Sequence, residues 1–164
     1  MDDHLIAIKK DVESQNYYSA LFLTIALPSI CCALESVDGL DTKTKYIAWY
    51  DHYVKDLFLT GSDCYKLRCS LLHQASTVNS ESSLVRVVFT FPVASGNTFH
   101  NNIINGALNL DVPLFCSELV RATDEWISKM EEENNANYIK NVPSVMRLYP
   151  KGAPPYFSGQ PVIS

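Results

Sequence analysis

The chain has no excess of basic residues: thirteen lysines and arginines stand against eighteen aspartates and glutamates in 164 residues, for a net charge of -5 and a pI near 5.3. That balance argues against a protein that coats nucleic acid non-specifically, since such binding draws on surplus lysine and arginine, although a local basic patch stays open. The five cysteines, Cys31, Cys32, Cys64, Cys69 and Cys116, are odd in number and contain no C-x-x-C pair. Neither a disulfide framework nor a zinc knuckle is indicated, and a reducing cytoplasm suits them best. There is no G-x-S-x-G elbow, no G-x-G-x-x-G and no G-x-x-x-x-G-K-[ST] loop, so the hydrolase, dehydrogenase and P-loop classes fall away. No carboxylate or His/Cys cluster reads as a metal site, and nothing calls for a cofactor. Asp2 and Asp3 stand where a secretory signal would be basic, and no small-residue cleavage site follows. The apolar run from Ala20 to Leu34 is shorter than the roughly 18 to 20 residues of a membrane span and reads as a core helix. No internal repeat is seen.

What is present is a mainly helical pattern. Apolar residues make up 47% of the chain, enough for one domain with a substantial core, expected at 1–142. Leu5, Ile8 and Val12, with Asp2 or Asp3 as cap, predict a first helix that Ser14-Gln15-Asn16 interrupts. From Tyr17 to Ser36 the chain is apolar almost all round, as the central helix of a bundle is, and Pro28 is expected to kink it or begin a new helix. Asp38-Gly39 marks a turn, and Asp41 is placed to cap a third helix with the stripe Tyr46, Trp49, Tyr50, Tyr53, Val54, Leu57 and Phe58. Thr60-Gly61-Ser62-Asp63 reads as a loop with a cap at Ser62. A fourth helix then turns Cys64, Leu67, Leu71, Leu72 and Ala75 inward, with Arg68 inside that stripe.

After a polar linker the period changes. Val85, Val87, Phe89 and Phe91 alternate with Arg86, Val88 and Thr90, as in a strand. A turn at Ala94-Ser95-Gly96-Asn97 and a second strand from Ala107 to Asp111 complete an expected β-hairpin at about 84–111, with Phe99 to Asn105 as a longer connection. Pro113 suits the first turn of a long helix in which Phe115, Leu119, Ala122, Trp126 and Met130 share a face, Glu131-Glu132-Glu133 is solvated and Asn134-Asn135 is the stop. Prolines at 143, 150, 154, 155 and 161 forbid regular helix in 143–164. That segment is expected to be an extended tail that docks through Tyr149, Tyr156 and Phe157.

The most informative stretch is Tyr65-Lys66-Leu67-Arg68-Cys69-Ser70-Leu71-Leu72-His73, which sets an arginine and a histidine five residues apart on the fourth helix. On an ideal helix they lie about 140° apart with a rise of about 7.5 Å, so they do not share a face by backbone geometry alone. This R-x-x-x-x-H resembles the signature of the HEPN superfamily, over about residues 1 to 76 and the last helix. The resemblance implies a HEPN-like antiparallel helical bundle, to which the hairpin and the tail are additions. It further implies a homodimer in which two copies of this helix meet, giving a composite, metal-independent endoribonuclease site of toxin or phage-defence type, with RNA as substrate and a cognate antitoxin or partner protein. In such a site Arg68 holds the scissile phosphate in its planar fork and His73 moves the 2′-hydroxyl proton. Cys69 departs from the family pattern, which usually has a polar residue, often asparagine, after the arginine. A thiol is a weak hydrogen-bond partner.

The alternative is a non-catalytic homodimeric structural or binding module, in which Arg68 ties helices together through a buried acid such as Glu35 and His73 caps the helix end. The apolar and aromatic surplus of the second and third helices also points to a dimer. Lys43, Lys45, Lys55 and Lys66 gather near the motif, as a phosphate-binding patch or as an ordinary solvated face, the latter favoured. Asp51-His52 reads as a surface pair, Cys31-Cys32 as packing, and His100-Asn101-Asn102 with Asn105 as a loop closed by side-chain to backbone hydrogen bonds.

Overall fold

A computed structural model describes residues 1–77, 86–93, 96–156 and 158–164. It is mainly helical. Helix α1 (Asp2–Glu13), α2 (Tyr17–Glu35), α3 (Lys43–Tyr53), α4 (Gly61–Gln74), α5 (Val112–Glu132) and the short α6 (Ala136–Asn141) accompany a three-stranded sheet of β1 (Arg86–Thr90), β2 (Asn102–Ile104) and β3 (Ala107–Asp111). The tail adds a 3-10 turn (Val142–Ser144) and a small antiparallel pair, β4 (Leu148–Tyr149) with β5 (Val162–Ile163).

Helix α2 is the centre, packed against α1, α3, α4, α5 and α6. It is long and apolar enough to cross a bilayer, yet half of it is buried inside the fold. Ala20, Ile25, Leu27 and Cys31 are fully enclosed, so its uniform hydrophobicity serves contacts on several sides at once. It runs through Pro28 without a break, where a new helix had been one expectation. Its last carbonyls have no partners within the helix, and α6 supplies them. Asn141 Nδ2 donates to Leu34 O (3.1 Å) and Ser36 O (2.8 Å), and Asn137 Nδ2 donates to Glu35 O (3.1 Å).

Several caps differ from expectation. Helix α1 has no side-chain cap: Asp2 and Asp3 lie in its first turn, and Asp3 Oδ2 instead accepts from Leu148 N–H (2.9 Å), tying the tail to α1. Helix α3 is capped by Thr42, whose Oγ1 accepts from Lys45 N–H, and α4 by Thr60, not by Asp41 and Ser62. Helix α3 also ends at Tyr53, so Leu57 and Phe58 belong to the next loop. Asn101 fixes that loop, accepting from Phe58 N–H (2.7 Å) and donating to Asp56 O (2.7 Å).

The expected hairpin between 84–91 and 107–111 is not formed, because β1 and β3 run parallel, with Val87 beside Leu108 and Phe89 beside Leu110. The hairpin is β2 with β3, closed by the two residues between Ile104 and Ala107. Asn105 (φ 51°) and Gly106 (φ 78°) both take the left-handed conformation of a tight hairpin turn, which Asn-Gly favours. Strand β3 is therefore central, buried from Leu108 to Asp111. Ala94, Ser95 and Val85 of the expected hairpin, and Phe157 of the tail, lie outside the described residues. Tyr149 is half-buried, whereas Tyr156 is 83% exposed and does not dock.

His100 closes the connection to α5. Its Nδ1 accepts from Asp111 N–H (3.2 Å), while the Asp111 carboxylate caps α5 by accepting from Leu114 N–H (3.1 Å). Burial lowers the His100 pKa, against the raising pull of Asp111 and Glu118. A histidine with a lowered folded-state pKa binds more protons when unfolded. Its contribution is complete above the unfolded value of about 6.5 and is lost as pH falls through the lower folded value. Urea unfolding is expected to show stability dropping below about pH 6.5, with a shallower drop in His100→Asn, which keeps an acceptor but cannot titrate. An identical pH dependence in the variant would refute this role.

Candidate functional site

The site is built on α4, whose placement is dictated at its first turn. A Cβ at Gly61 would lie 2.7 Å from Ile47 O and 2.8 Å from Asp51 Oδ1, so only glycine lets α4 start this close to α3. Asp51 Oδ1 accepts from Gly61 N–H (2.7 Å), which gives that carboxylate a structural role rather than one with His52. Thr60 Oγ1 accepts from Asp63 N–H (3.2 Å) and donates to Asp63 Oδ2 (2.8 Å), closing the cap. Cys64, Leu67 and Leu71 are buried, and Tyr46 Oη spans α2 and α4 by donating to Ile25 O (3.2 Å) and lying 3.3 Å from Cys64 Sγ. Helix α4 ends at Ala75, in the left-handed conformation.

Arg68 and His73 both lie on this helix, in different settings. His73 is exposed on the last turn. Arg68 is half-buried: its Nε is sealed from solvent without a hydrogen-bond partner, and Nη1 lies 3.9 Å from Cys69 Sγ. Among the described residues Arg68 makes no ion pair, and no hydrogen bond joins it to His73. The acid expected to hold Arg68 in a structural role is engaged elsewhere, since Glu35 Oε2 accepts from Trp126 Nε1 (3.0 Å). One chain therefore presents the two motif residues on one helix without bringing them together.

The lysines around the motif are mostly occupied. Lys45 Nζ pairs with Asp38 (3.6 Å) and donates to Ser36 Oγ (2.8 Å), Lys55 Nζ donates to Asp51 O (3.0 Å), and Lys43 Nζ lies 5.9 Å above the Tyr65 ring. Lys66 is half-buried on α4. Among the described residues no group of three or more His, Cys, Asp or Glu side chains is arranged to hold a metal ion.

Four of the five cysteines are buried, and burial pushes their thiols up, to about 12 for Cys32 and Cys64 and about 11 for Cys116, with Cys31 raised as well. Cys69 alone is half-exposed, next to Arg68. Because the thiolate is the reactive form, native protein treated with iodoacetamide at neutral pH is expected to be modified first at Cys69. Peptide mapping that found another cysteine modified first would contradict this picture.

Sequence reasoning gave no hint of an open cleft of about 780 Å³ between the end of α2, α3 and α5, lined among others by Trp49, His52, Tyr53, Lys45 and Lys129. The aromatic stripe of α3 was visible, but that it forms one wall depends on how α5 crosses it. Compared with known proteins, the chain matches no family model, no curated protein and no solved structure.

Proposed function

We propose that the chain is a HEPN-like, metal-independent endoribonuclease that works as a homodimer. The observation that carries this reading is the guanidinium of Arg68, which makes no ion pair among the described residues, on the same helix as the exposed imidazole of His73. The acid expected to tie Arg68 down in a structural role, Glu35, instead accepts a hydrogen bond from Trp126 Nε1. In the proposed site two α4 helices face each other, so that the arginine of one protomer and the histidine of either flank one phosphodiester.

The chemistry follows from the side chains. A neutral imidazole accepts the 2′-hydroxyl proton as the 2′-oxygen attacks phosphorus, the bond from phosphorus to the 5′-oxygen breaks, and an imidazolium donates the proton that the leaving oxygen needs. The guanidinium hydrogen-bonds the non-bridging oxygens and stabilises the charge building there. The products are a 2′,3′-cyclic phosphate and a 5′-hydroxyl.

A non-catalytic homodimeric module is the second reading, favoured by the sealed Nε of Arg68 and by Cys69 lying against Nη1. The dimer itself rests on the need for a composite site. The aromatic surplus of α3 gives no separate support, because Tyr46, Trp49, Tyr50 and Tyr53 are buried within one chain. Purified protein is expected to sediment as a dimer at micromolar concentration and to cut single-stranded RNA in the presence of EDTA, leaving cyclic phosphate ends. Folded, dimeric protein that leaves a mixed RNA pool intact would decide for the module.

A further inference from the structure

The open cleft between α2, α3 and α5 takes no part in the chemistry assigned to α4, yet it gathers aromatic surface and charge in one cavity. Helix α3 forms one wall, along which Lys45, Trp49 and His52 follow at helical spacing over a rise of about 10 Å. Trp49 and Tyr53 are buried with their ring centres 5.1 Å apart, and the exposed His52 rests edge to face on Tyr53 at 4.5 Å. His52 is therefore an exposed ring held by its neighbour, the kind of surface on which a planar ligand stacks.

Helix α5 brings an acid and a base into the same cavity. Glu35, at the end of α2, is pinned by Trp126 Nε1 (3.0 Å), and Lys129 stands three residues beyond Trp126, where side chains on a helix are neighbours. Both line the cleft, and Lys129 Nζ lies 6.0 Å from the centre of the Tyr53 ring. Among the described residues neither Glu35 nor Lys129 makes an ion pair, whereas the other two charges of the cleft, Lys45 and Asp38, are joined at 3.6 Å. Tyr53, and after it Glu133, raise the Lys129 pKa and keep its ammonium charged. What remains uncommitted is one acceptor-only group and one donor-only group beside a ring.

We propose that this cleft binds a guanine base, stacked on His52, with Glu35 accepting from the guanine N1–H and amino group and Lys129 donating to O6. A ligand of a single charge would be repelled by one member of the Glu35 and Lys129 pair, and a neutral ring that offers both donors and acceptors is not. Among RNA bases only guanine sets two donors side by side next to an acceptor, the pattern that a carboxylate with an adjacent ammonium reads. Glu35 Oε2 already accepts from Trp126, but a carboxylate has about four lone-pair sites and keeps room for both donors. The volume of about 780 Å³ lies within the roughly 300–1,000 Å³ of small-ligand sites. Such a guanine belongs either to a free nucleotide or to unpaired RNA. Only the second source rests on the ribonuclease reading, for which it names the selected base.

Isothermal titration of the intact protein with the four nucleoside monophosphates tests the site. GMP is expected to bind about tenfold or more tighter than AMP, CMP or UMP, because a site built around a ligand's donors rejects analogues that lack them. Glu35→Gln keeps an acceptor for Trp126 but sets an amide N–H where guanine also donates, and should abolish the preference for GMP. His52→Ala, at an exposed position, covers failure of Glu35→Gln to fold and should weaken GMP about tenfold with Tm unchanged. No binding of GMP, equal binding of all four nucleotides, or GMP binding indifferent to both variants would overturn the proposal even if RNA is cut. A single-stranded oligonucleotide with one guanine that binds at least as tightly as GMP assigns the base to RNA, and failure of that oligonucleotide to bind where GMP does assigns it to a free nucleotide. GMP binding by a protein inert on RNA would uphold the cleft and remove the ribonuclease reading instead.

Discussion

Arg68→Ala and His73→Ala are each expected to lose RNA cleavage by a factor of about 10² or more in kcat, because one removes the donors that meet the developing charge and the other the proton carrier. Both variants should stay folded. His73 is exposed on the last turn of α4, so its removal is worth no more than about 0.5 kcal/mol. Arg68 makes no ion pair among the described residues. Its loss is confined to the packing of a half-buried stem, about 1 kcal/mol, or about 2–4 °C in Tm for a chain of this size. The non-catalytic reading demands the reverse: no activity to lose, and an Arg68→Ala variant that melts early because the guanidinium was a structural tie. Calorimetry on the two variants beside a gel assay in EDTA separates the cases. Cleavage that survives Arg68→Ala unchanged would end the ribonuclease reading whatever the melting curves show.

How far the chain announced this arrangement depends on the range of each interaction. Helices α1 to α5 were legible because their apolar residues recur at helical spacing, a signal carried within each segment; α2 and α5 appear nearly as expected. Caps were legible as a type and misplaced in detail, since Asp41 and Ser62 are as suitable chemically as Thr42 and Thr60, and a shift of one or two residues costs little until the preceding loop is fixed. The sheet was misjudged for a different reason. The alternation in 85–91 reads as half of a hairpin, whereas the stronger local signal is Asn105-Gly106, which pairs β2 with β3 and leaves β1 to reach β3 in parallel across a long connection. Helix α6 is only six residues long and shows no period of its own; its purpose, supplying donors to the end of α2, appears only in three dimensions. The same holds at the site. The spacing of Arg68 and His73 is local and readable, but the engagement of Glu35 with Trp126 brings together residues 91 positions apart, and no spacing rule reports that.

The largest loss of stability is expected from Trp126→Ala. Trp126 is fully buried on α5, meets Tyr138 of α6 edge to face at 5.5 Å, and donates from Nε1 to Glu35 at the end of α2 (3.0 Å). It thus joins the C-terminal end of the central helix to both α5 and α6. Truncation removes the ring from a closed core and leaves a cavity that helices on either side cannot readily fill, at a cost of about 3–5 kcal/mol. That is a large share of the roughly 5–15 kcal/mol that a domain has in total. Glu35→Ala tests the polar half of the contact. It leaves the indole N–H without an acceptor in a buried ring and is expected to cost about 1–3 kcal/mol, and Trp126→Phe, which removes the donor and lets the exposed Glu35 carboxylate meet water, should cost less than Trp126→Ala. Urea unfolding of the three variants gives the order directly. If Trp126→Ala lost less than Glu35→Ala, the ring would not be the anchor described, and the end of α2 would have to be held by the Asn137 and Asn141 hydrogen bonds alone.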